Sequence, residues 1–494
     1  MKILLIPLDE RPCNALFPRF LENETVQIIT PPNKLLGEKR KSAPIKPLQD
    51  FILKNIQDCD SAVLSMDMLL YGGLIPSRLH HESKEELQQR LAIIENIKQA
   101  NTNIKLYAFQ CIMRCPQYNS SEEEPDYYEE YGYSIFRKKY LEDKQQREQL
   151  TEVELEEYKK IQIPSEIIED YETRRQKNLF MNEQALKYIK EKYIDFYVIP
   201  QDDSSPFGYT AIDQKHVLSS IKEERLELQT MVYPGADEVS MSLITRAYND
   251  YYHKQPKIYP FYASILGPTI IPKYEDRPMF ESLKSHIRVT GAKMVQSANE
   301  ADIILAINCP GKIMQESFDE PKDITYSSYR ELLTFCYQIK DYIEQGKKVA
   351  LCDSAYSNGG DIELLNFLDQ LDVIDKLYAY AGWNTNCNTL GTVLAQSQIA
   401  KKTPIHIILY RIIEDAFYQA KVRKQIIDHD LVELNLGYYD FKDQEEVIEQ
   451  RIAKYLVDNY NQYQISKKYP ISSLHVYMPW HRMFEIGLRI QFTK

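Results

Sequence analysis

Carboxylates in this chain gather just after short apolar runs, and the tandem pair in Gln201-Asp202-Asp203-Ser204 is the sharpest case. Two adjacent, partly buried carboxylates repel each other and lose hydration. One pKa rises, which leaves a proton donor beside an anion. That is the equipment for general acid/base work on a glycosidic bond. Neighbouring side chains at a strand end diverge, so one aspartate can catalyse while the other orients a substrate amide. The same pair also suits a helix N-cap followed by a first-turn acid, or a metal-binding pair.

The pattern recurs along the chain. Asp9-Glu10-Arg11 follows the first apolar run, and Asp67 the second, with Arg78 beyond it. Arg114 lies after the third, Asp237-Glu238 after Gly235, and Asp353 with Asn358-Gly359-Gly360-Asp361 after a later run. Trp383-Asn384, with Asn386 and Asn388 close behind, follows the last. Any one of these is an ordinary cap or turn, and capping suits Asp237-Glu238 as well as binding does. Caps account for one polar residue per loop, not for tandem aspartates or a tryptophan among amides. Asp202 and Asp203 are therefore the catalytic candidates. Asp9, Arg11, Asp67, Arg78, Arg114, Asp237, Glu238, Asp353, Asn358, Asp361, Trp383, Asn384 and Asn388 are the substrate-binding candidates. The arginines suit a clamp on a hydroxyl or carboxylate, or simple neutralisation of the acids. Trp383 suits a sugar platform or a core aromatic.

Elements that could position these residues follow from the rhythm of the sequence. Short apolar runs alternate with longer amphipathic stretches, which predicts an α/β fold with a largely parallel sheet. Strands are expected at Lys2–Leu8, Ser61–Met66, Ile104–Cys111, Phe196–Pro200, Glu227–Tyr233, Lys257–Ala263, Asp302–Asn308, Lys348–Cys352 and Leu377–Ala381. Their number fits a (β/α)8-like barrel plus one strand; an open doubly wound sheet in two lobes is the alternative. In either layout the ligand face lies at the strands' C-terminal ends. A helical insertion is expected over about 120–193, either covering the mouth or standing in solvent. Residues 1–395 read as the α/β domain and 396–494 as a mainly helical C-terminal extension.

Composition narrows the function. A net charge of -12 argues against non-specific binding to nucleic acid or an anionic membrane. No apolar run approaches the roughly 20 residues that span a bilayer. The first apolar run is too short for a signal peptide and ends in acid. Eight scattered cysteines without a CxxC pair fit a reducing cytoplasm. Nucleotide, P-loop, zincin and serine-hydrolase motifs are missing. No cofactor is expected; the alternative is Mg²⁺ or Mn²⁺ on Asp9, Asp202, Asp203 and Asp353.

At these same residues the chain resembles a bacterial family of uncharacterised proteins, domain of unknown function 4127. The resemblance is carried by Pro7-Leu8-Asp9-Glu10-Arg11-Pro12, Tyr71-Gly72-Gly73-Leu74, Gln201-Asp202-Asp203, Pro234-Gly235-Ala236-Asp237-Glu238, Asn358-Gly359-Gly360-Asp361, Ala381-Gly382-Trp383-Asn384-Thr385 and Pro479-Trp480. It spans nearly the whole chain and brings no activity with it. In order and residue type, Asp202-Asp203 and the later Asp353, Asn358, Asp361 and Asn384 also resemble the sites of barrel glycoside hydrolases of the O-GlcNAcase type. The extra strand and the N-terminal motif depart from that pattern.

The expectation is a cytoplasmic glycoside hydrolase acting on small oligosaccharides, N-acetylated ones among them. Its partner is a small carbohydrate, with no nucleic acid or membrane, and a homo-oligomer is compatible. A divalent-metal hydrolase or lyase and a non-catalytic sugar-binding protein are the alternatives.

Overall fold

The computed structural model describes residues 1–399 and 402–493. All nine expected strands form. Six strands pair in parallel in the order β2-β1-β3-β4-β5-β6. They are β1 (Lys2–Ile6), β2 (Gln27–Ile29), β3 (Ser61–Ser65), β4 (Lys105–Phe109), β5 (Phe196–Gln201) and β6 (Thr230–Pro234). A second parallel sheet has the order β11-β10-β9-β7-β8. Its strands are β7 (Lys257–Tyr262), β8 (Lys293–Met294), β9 (Ile303–Asn308), β10 (Val349–Asp353) and β11 (Ala379–Ala381). An antiparallel hairpin, β12 (Ile471–Tyr477) with β13 (Gly487–Phe492), completes the described strands.

These strands do not close into one barrel. The βαβ rhythm is common to barrels and open sheets; what separates them is where the chain goes after its first strand. Here β1 passes to β2 on one side, and the chain then returns to β3 on the other. The same reversal follows β7. Each sheet is therefore open and doubly wound, with its topological switch point between β1 and β3 and between β7 and β9. The strands read as unbroken apolar runs because helices cover parallel sheets on both faces; β3 and β9 are buried throughout.

Contacts divide the chain into two compact units. The first comprises Met1–Ala247 with Tyr274–Asp276, the second Tyr248–Lys273 with the chain from Arg277 onward. Each unit contains one of the two parallel sheets, and the described residues beyond 395 belong to the second. They form a run of helices, part of it π-helical over Ile412–Val422, and the hairpin. No described helix is long and apolar enough to cross a membrane.

Between β4 and β5 the insertion forms three helices, Tyr128–Arg147, Glu152–Lys160 and Ser165–Lys190. Its buried Tyr128, Ile135, Phe136 and Tyr171 pack with Met113 and Cys115 on the exit of β4. It belongs to the body of the first unit.

The Tyr71-Gly72-Gly73-Leu74 motif has a mechanical role. Helix Met66–Tyr71 ends at Gly72, in the left-handed region at φ 87°, and helix Leu74–Leu79 starts at once. The sharp turn lets the helix that carries Arg78 follow the first one directly. The Gly72 carbonyl accepts from Ala43 N at 3.0 Å, and a Cβ there would stand 2.6 Å from that nitrogen. Gly72→Ala combines left-handed strain with a backbone clash, so a loss of about 2 kcal/mol or more is expected in denaturant unfolding. A loss below a few tenths would show that the turn does not constrain this position.

Candidate functional site

In the first unit, five side chains, Tyr118, Glu123, Glu124, Asp202 and Asp203, converge on two buried guanidinium groups. Arg78, on the helix after the glycine turn, is 1 % exposed. Its Nη2 donates to Asp202 Oδ2 at 2.7 Å, and its Nη1 to Glu123 Oε2 at 3.2 Å and Glu124 Oε1 at 3.3 Å. Arg114, beyond β4, donates through Nε to Glu124 Oε1 at 2.7 Å and through Nη1 to Asp203 Oδ2 at 3.2 Å. Its Nη2 reaches Glu123 Oε2 at 3.0 Å and the Tyr118 hydroxyl at 3.2 Å. The insertion helix holds Arg114 from behind: Tyr171 OH and Arg175 Nη1 both donate to its carbonyl at 3.0 Å. Burial and the facing cation oppose the charge on Arg78. Glu124, Asp202 and Glu123 outweigh them, and its pKa is raised.

Asp202 and Asp203 do diverge, one to each arginine. They do not cap a helix, because the next helix, Tyr209–Glu223, begins after Gly208. Asp203 takes a left-handed backbone at φ 45°, an uncommon conformation for a residue with a side chain. Its side chain stays 23 % exposed, so it is reachable although surrounded by protein. Burial, then the charge of Asp202, push the Asp203 carboxyl up to about 7, against the pull of Arg114 and Arg78.

A second cluster joins the loops after β1 and β6. Arg11 forks onto Asp9 Oδ2 through Nε and Nη2 at 3.0 and 2.7 Å, and its Nη2 also donates to Asp237 Oδ1 at 2.7 Å. Asn14 Nδ2 donates to the same two carboxylates at 2.9 and 2.8 Å. Burial, opposed by Arg11 and reinforced by Asp9 and Asp202, brings Asp237 up to about 7. Glu238 turns back to accept from Ala236 N at 3.0 Å, at the start of helix Val239–Tyr251. Asp67 lies in the first turn of its helix and accepts from Cys111 N at 2.9 Å, tying the exit of β3 to that of β4. Burial raises it to about 7 despite that bond.

The second unit carries a network of its own at its carboxyl edge. Asn308 Nδ2 donates to Asp353 Oδ1 at 2.8 Å and to Asp361 Oδ2 at 3.2 Å. Arg330 Nη1 donates to Asp361 Oδ2 at 2.6 Å and to Asn308 Oδ1 at 2.9 Å. The Tyr380 hydroxyl and the Asp361 amide donate to Asp353 Oδ2 at 3.0 and 2.8 Å. Asp361 also caps helix Ile362–Gln370, accepting from Glu363 N at 3.0 Å. Burial and Asp361 bring the Asp353 carboxyl up to about 7.

Around this network, Asn358 and Asn384 both take left-handed backbones, and Asn358 N donates to the Asn384 carbonyl at 2.8 Å. Asn358 Nδ2 donates to Glu316 Oε2 at 2.8 Å. Trp383 is 2 % exposed, beside the Arg411 guanidinium, and Asn388 is buried in the next helix. In this conformation the tryptophan face is covered, as for a core aromatic.

The expected site residues thus fall into two sets. Asp9, Arg11, Asp67, Arg78, Arg114, Asp202, Asp203, Asp237 and Glu238 are in the first unit. Asp353, Asn358, Asp361, Trp383, Asn384 and Asn388 are in the second. Sequence reasoning passed over Asn14, Glu123, Glu124, Asn308 and Arg330. Asn14 and Asn308 were visible as strand-end amides. Glu123 and Glu124 stood in an acidic run of the insertion and looked like a solvated surface. Asp9, Asp202 and Asp203 are each engaged by an arginine. Among the described residues, no group of three or more His, Cys, Asp and Glu is arranged to hold a metal ion. All eight cysteines are buried thiols.

A carboxyl raised to about 7 keeps a proton that the unfolded chain releases near 4. Between those values the folded state binds more protons, so stability falls as pH rises, by about 1.4 kcal/mol per pH unit for each such group. The thermal midpoint is therefore expected to be higher at pH 6 than at pH 8. Asp67→Asn, which can still accept from Cys111 N, should flatten that slope. A midpoint that climbs toward pH 8 would contradict the assignment.

A family model described as protein of unknown function (DUF4127) matches residues 3–489. No curated protein matches the chain.

Proposed function

The chain belongs to this family of unknown function, and from its site we propose that it is a glycoside hydrolase-like enzyme that cleaves small oligosaccharides by carboxylate general acid/base catalysis. One observation carries the proposal. Adjacent aspartates are split between two arginines, both keep some exposure, and burial beside Asp202 pushes the Asp203 carboxyl up to about 7. Asp203 is the general acid: it gives its proton to the glycosidic oxygen as the bond to the leaving group breaks. Asp202, oriented by Arg78, faces the positive charge that develops on the sugar, or orients a substrate acetamido group that attacks the anomeric carbon.

Support comes from the side chains, not from a barrel. A proton donor must be held neutral in a site otherwise rich in charge, and burial beside a second carboxylate does this. The left-handed backbone at Asp203 fits a position where geometry has been selected over local comfort. The carbohydrate substrate, and an action that needs neither nucleic acid nor membrane, belong to the same proposal.

A panel of aryl glycosides tests it. Turnover of at least one sugar is expected, with kcat falling as pH rises through about 7 as Asp203 loses its proton. Asp203→Asn should lower kcat by roughly 10²- to 10⁴-fold and remove that alkaline limb. Asp202→Asn should also lower kcat but leave the limb in place. Inertness on every sugar, or full activity in both variants, would end the proposal.

A further inference from the structure

Glu123 occupies the fork between the arginines as a bound ligand would. One oxygen, Oε2, lies 3.2 Å from Arg78 Nη1 and 3.0 Å from Arg114 Nη2. Glu124 beside it is fully buried, whereas the Glu123 side chain is 16 % exposed. The two residues therefore differ in kind. Glu124 is sealed into the protein, while Glu123 lies at the boundary with Asp202 and Asp203, which are similarly exposed.

Glu123 belongs to a strap without regular secondary structure, Ser121-Glu122-Glu123-Glu124-Pro125-Asp126. On its outer side the strap is held by cations from the turn around residues 38–41. Lys39 Nζ pairs with Glu122; Arg40 donates to the Ser121 carbonyl, to the Glu124 carbonyl at 3.0 Å and to Asp126 Oδ1 at 2.6 Å. These ties include exposed side chains, which solvent and salt screen. The strap's outer anchorage is thus weaker than the arginine fork it covers.

Hydrogen-bond geometry decides what can replace Glu123. Removing its carboxylate alone would take an acceptor from Arg78 Nη1 and from Arg114 Nη2 together, and buried guanidinium donors left short of acceptors are costly. An ammonium group would face two cations and offer no acceptor. A ligand carboxylate keeps the count of charges unchanged and matches the planar donor geometry of arginine. We propose that the Arg78–Arg114 fork is a carboxylate subsite, closed in the free protein by Glu123, and that the substrate is an acidic sugar whose carboxylate takes the place of Glu123. The sugar part rests on the glycosidase proposal; the carboxylate part does not.

Isothermal titration of the full chain with glucuronate, its neutral amide glucuronamide, and glucose separates the two. Glucuronate should bind, and the neutral sugars should bind at least tenfold more weakly. Glu123→Gln weakens the internal competitor, so glucuronate should bind about tenfold tighter than in the wild type. Lys39→Gln, which loosens the strap without touching the fork, should tighten it in the same direction and carries the test should Glu123→Gln unfold. Equal affinity for glucuronate and glucuronamide, no glucuronate binding in any of the proteins, or no gain in either variant would overturn the subsite. Glucuronate binding without cleavage of any aryl glycoside would uphold the subsite and remove the glycosidase proposal. Cleavage of neutral glycosides without glucuronate binding would do the reverse.

Discussion

Two guanidinium groups taken out of water set the terms for the first unit. An unpaired buried charge is strongly destabilising, and a paired one is tolerable only with good geometry and full hydrogen bonding. Arg78 and Arg114 meet this with Asp202, Asp203, Glu123 and Glu124. The exits of β3, β4 and β5 and the start of the insertion must therefore come to one place. The glycine turn at 72–73, the left-handed Asp203 and the helix that holds the Arg114 carbonyl all serve that convergence. Four carboxylates around two cations leave a surplus of negative charge. Burial and Asp202 push the Asp203 carboxyl up to about 7, which eases that surplus and is what the proposed general acid needs.

The two sheets show the same winding, with the reversal after the first strand and polar networks at the carboxyl edge. In the second unit the solution is more closed. Asp353 is satisfied by Asn308, Tyr380 and the Asp361 amide, and Asp361 by Arg330. Every member of that network is buried. Its hydrogen bonds tie the ends of β9, β10 and β11 together, and the exits from those strands carry Asn358 and Asn384. In the first unit, by contrast, Asp202, Asp203 and Glu123 keep some exposure.

Much of this could be read from the sequence. Unbroken apolar runs marked the nine main strands, because burial on both faces demands them. The polar residues after the runs marked the edge where both networks lie. The short strands at 27–29 and 293–294 were missed, since two or three residues carry no period. The division into two sheets was readable only as the alternative of an open doubly wound sheet in two lobes: βαβ spacing does not record on which side of β1 the chain returns. Glu123 and Glu124 looked like solvated charge because their partners, Arg78 and Arg114, lie 46 and 10 residues from Glu124 on other elements. Trp383 illustrates the converse, since an aromatic beside amides has the same local sequence whether it meets a sugar or packs in a core.

The account turns on one proton. Difference ¹³C NMR titration of side-chain carboxyls, wild type against Asp203→Asn, assigns the Asp203 signal and follows it directly. The account predicts a midpoint near 7, with the carboxyl still protonated at pH 6. A midpoint near 4, the ordinary aspartate range, would contradict it, because Asp203 would then be ionised at neutral pH and could not serve as the acid.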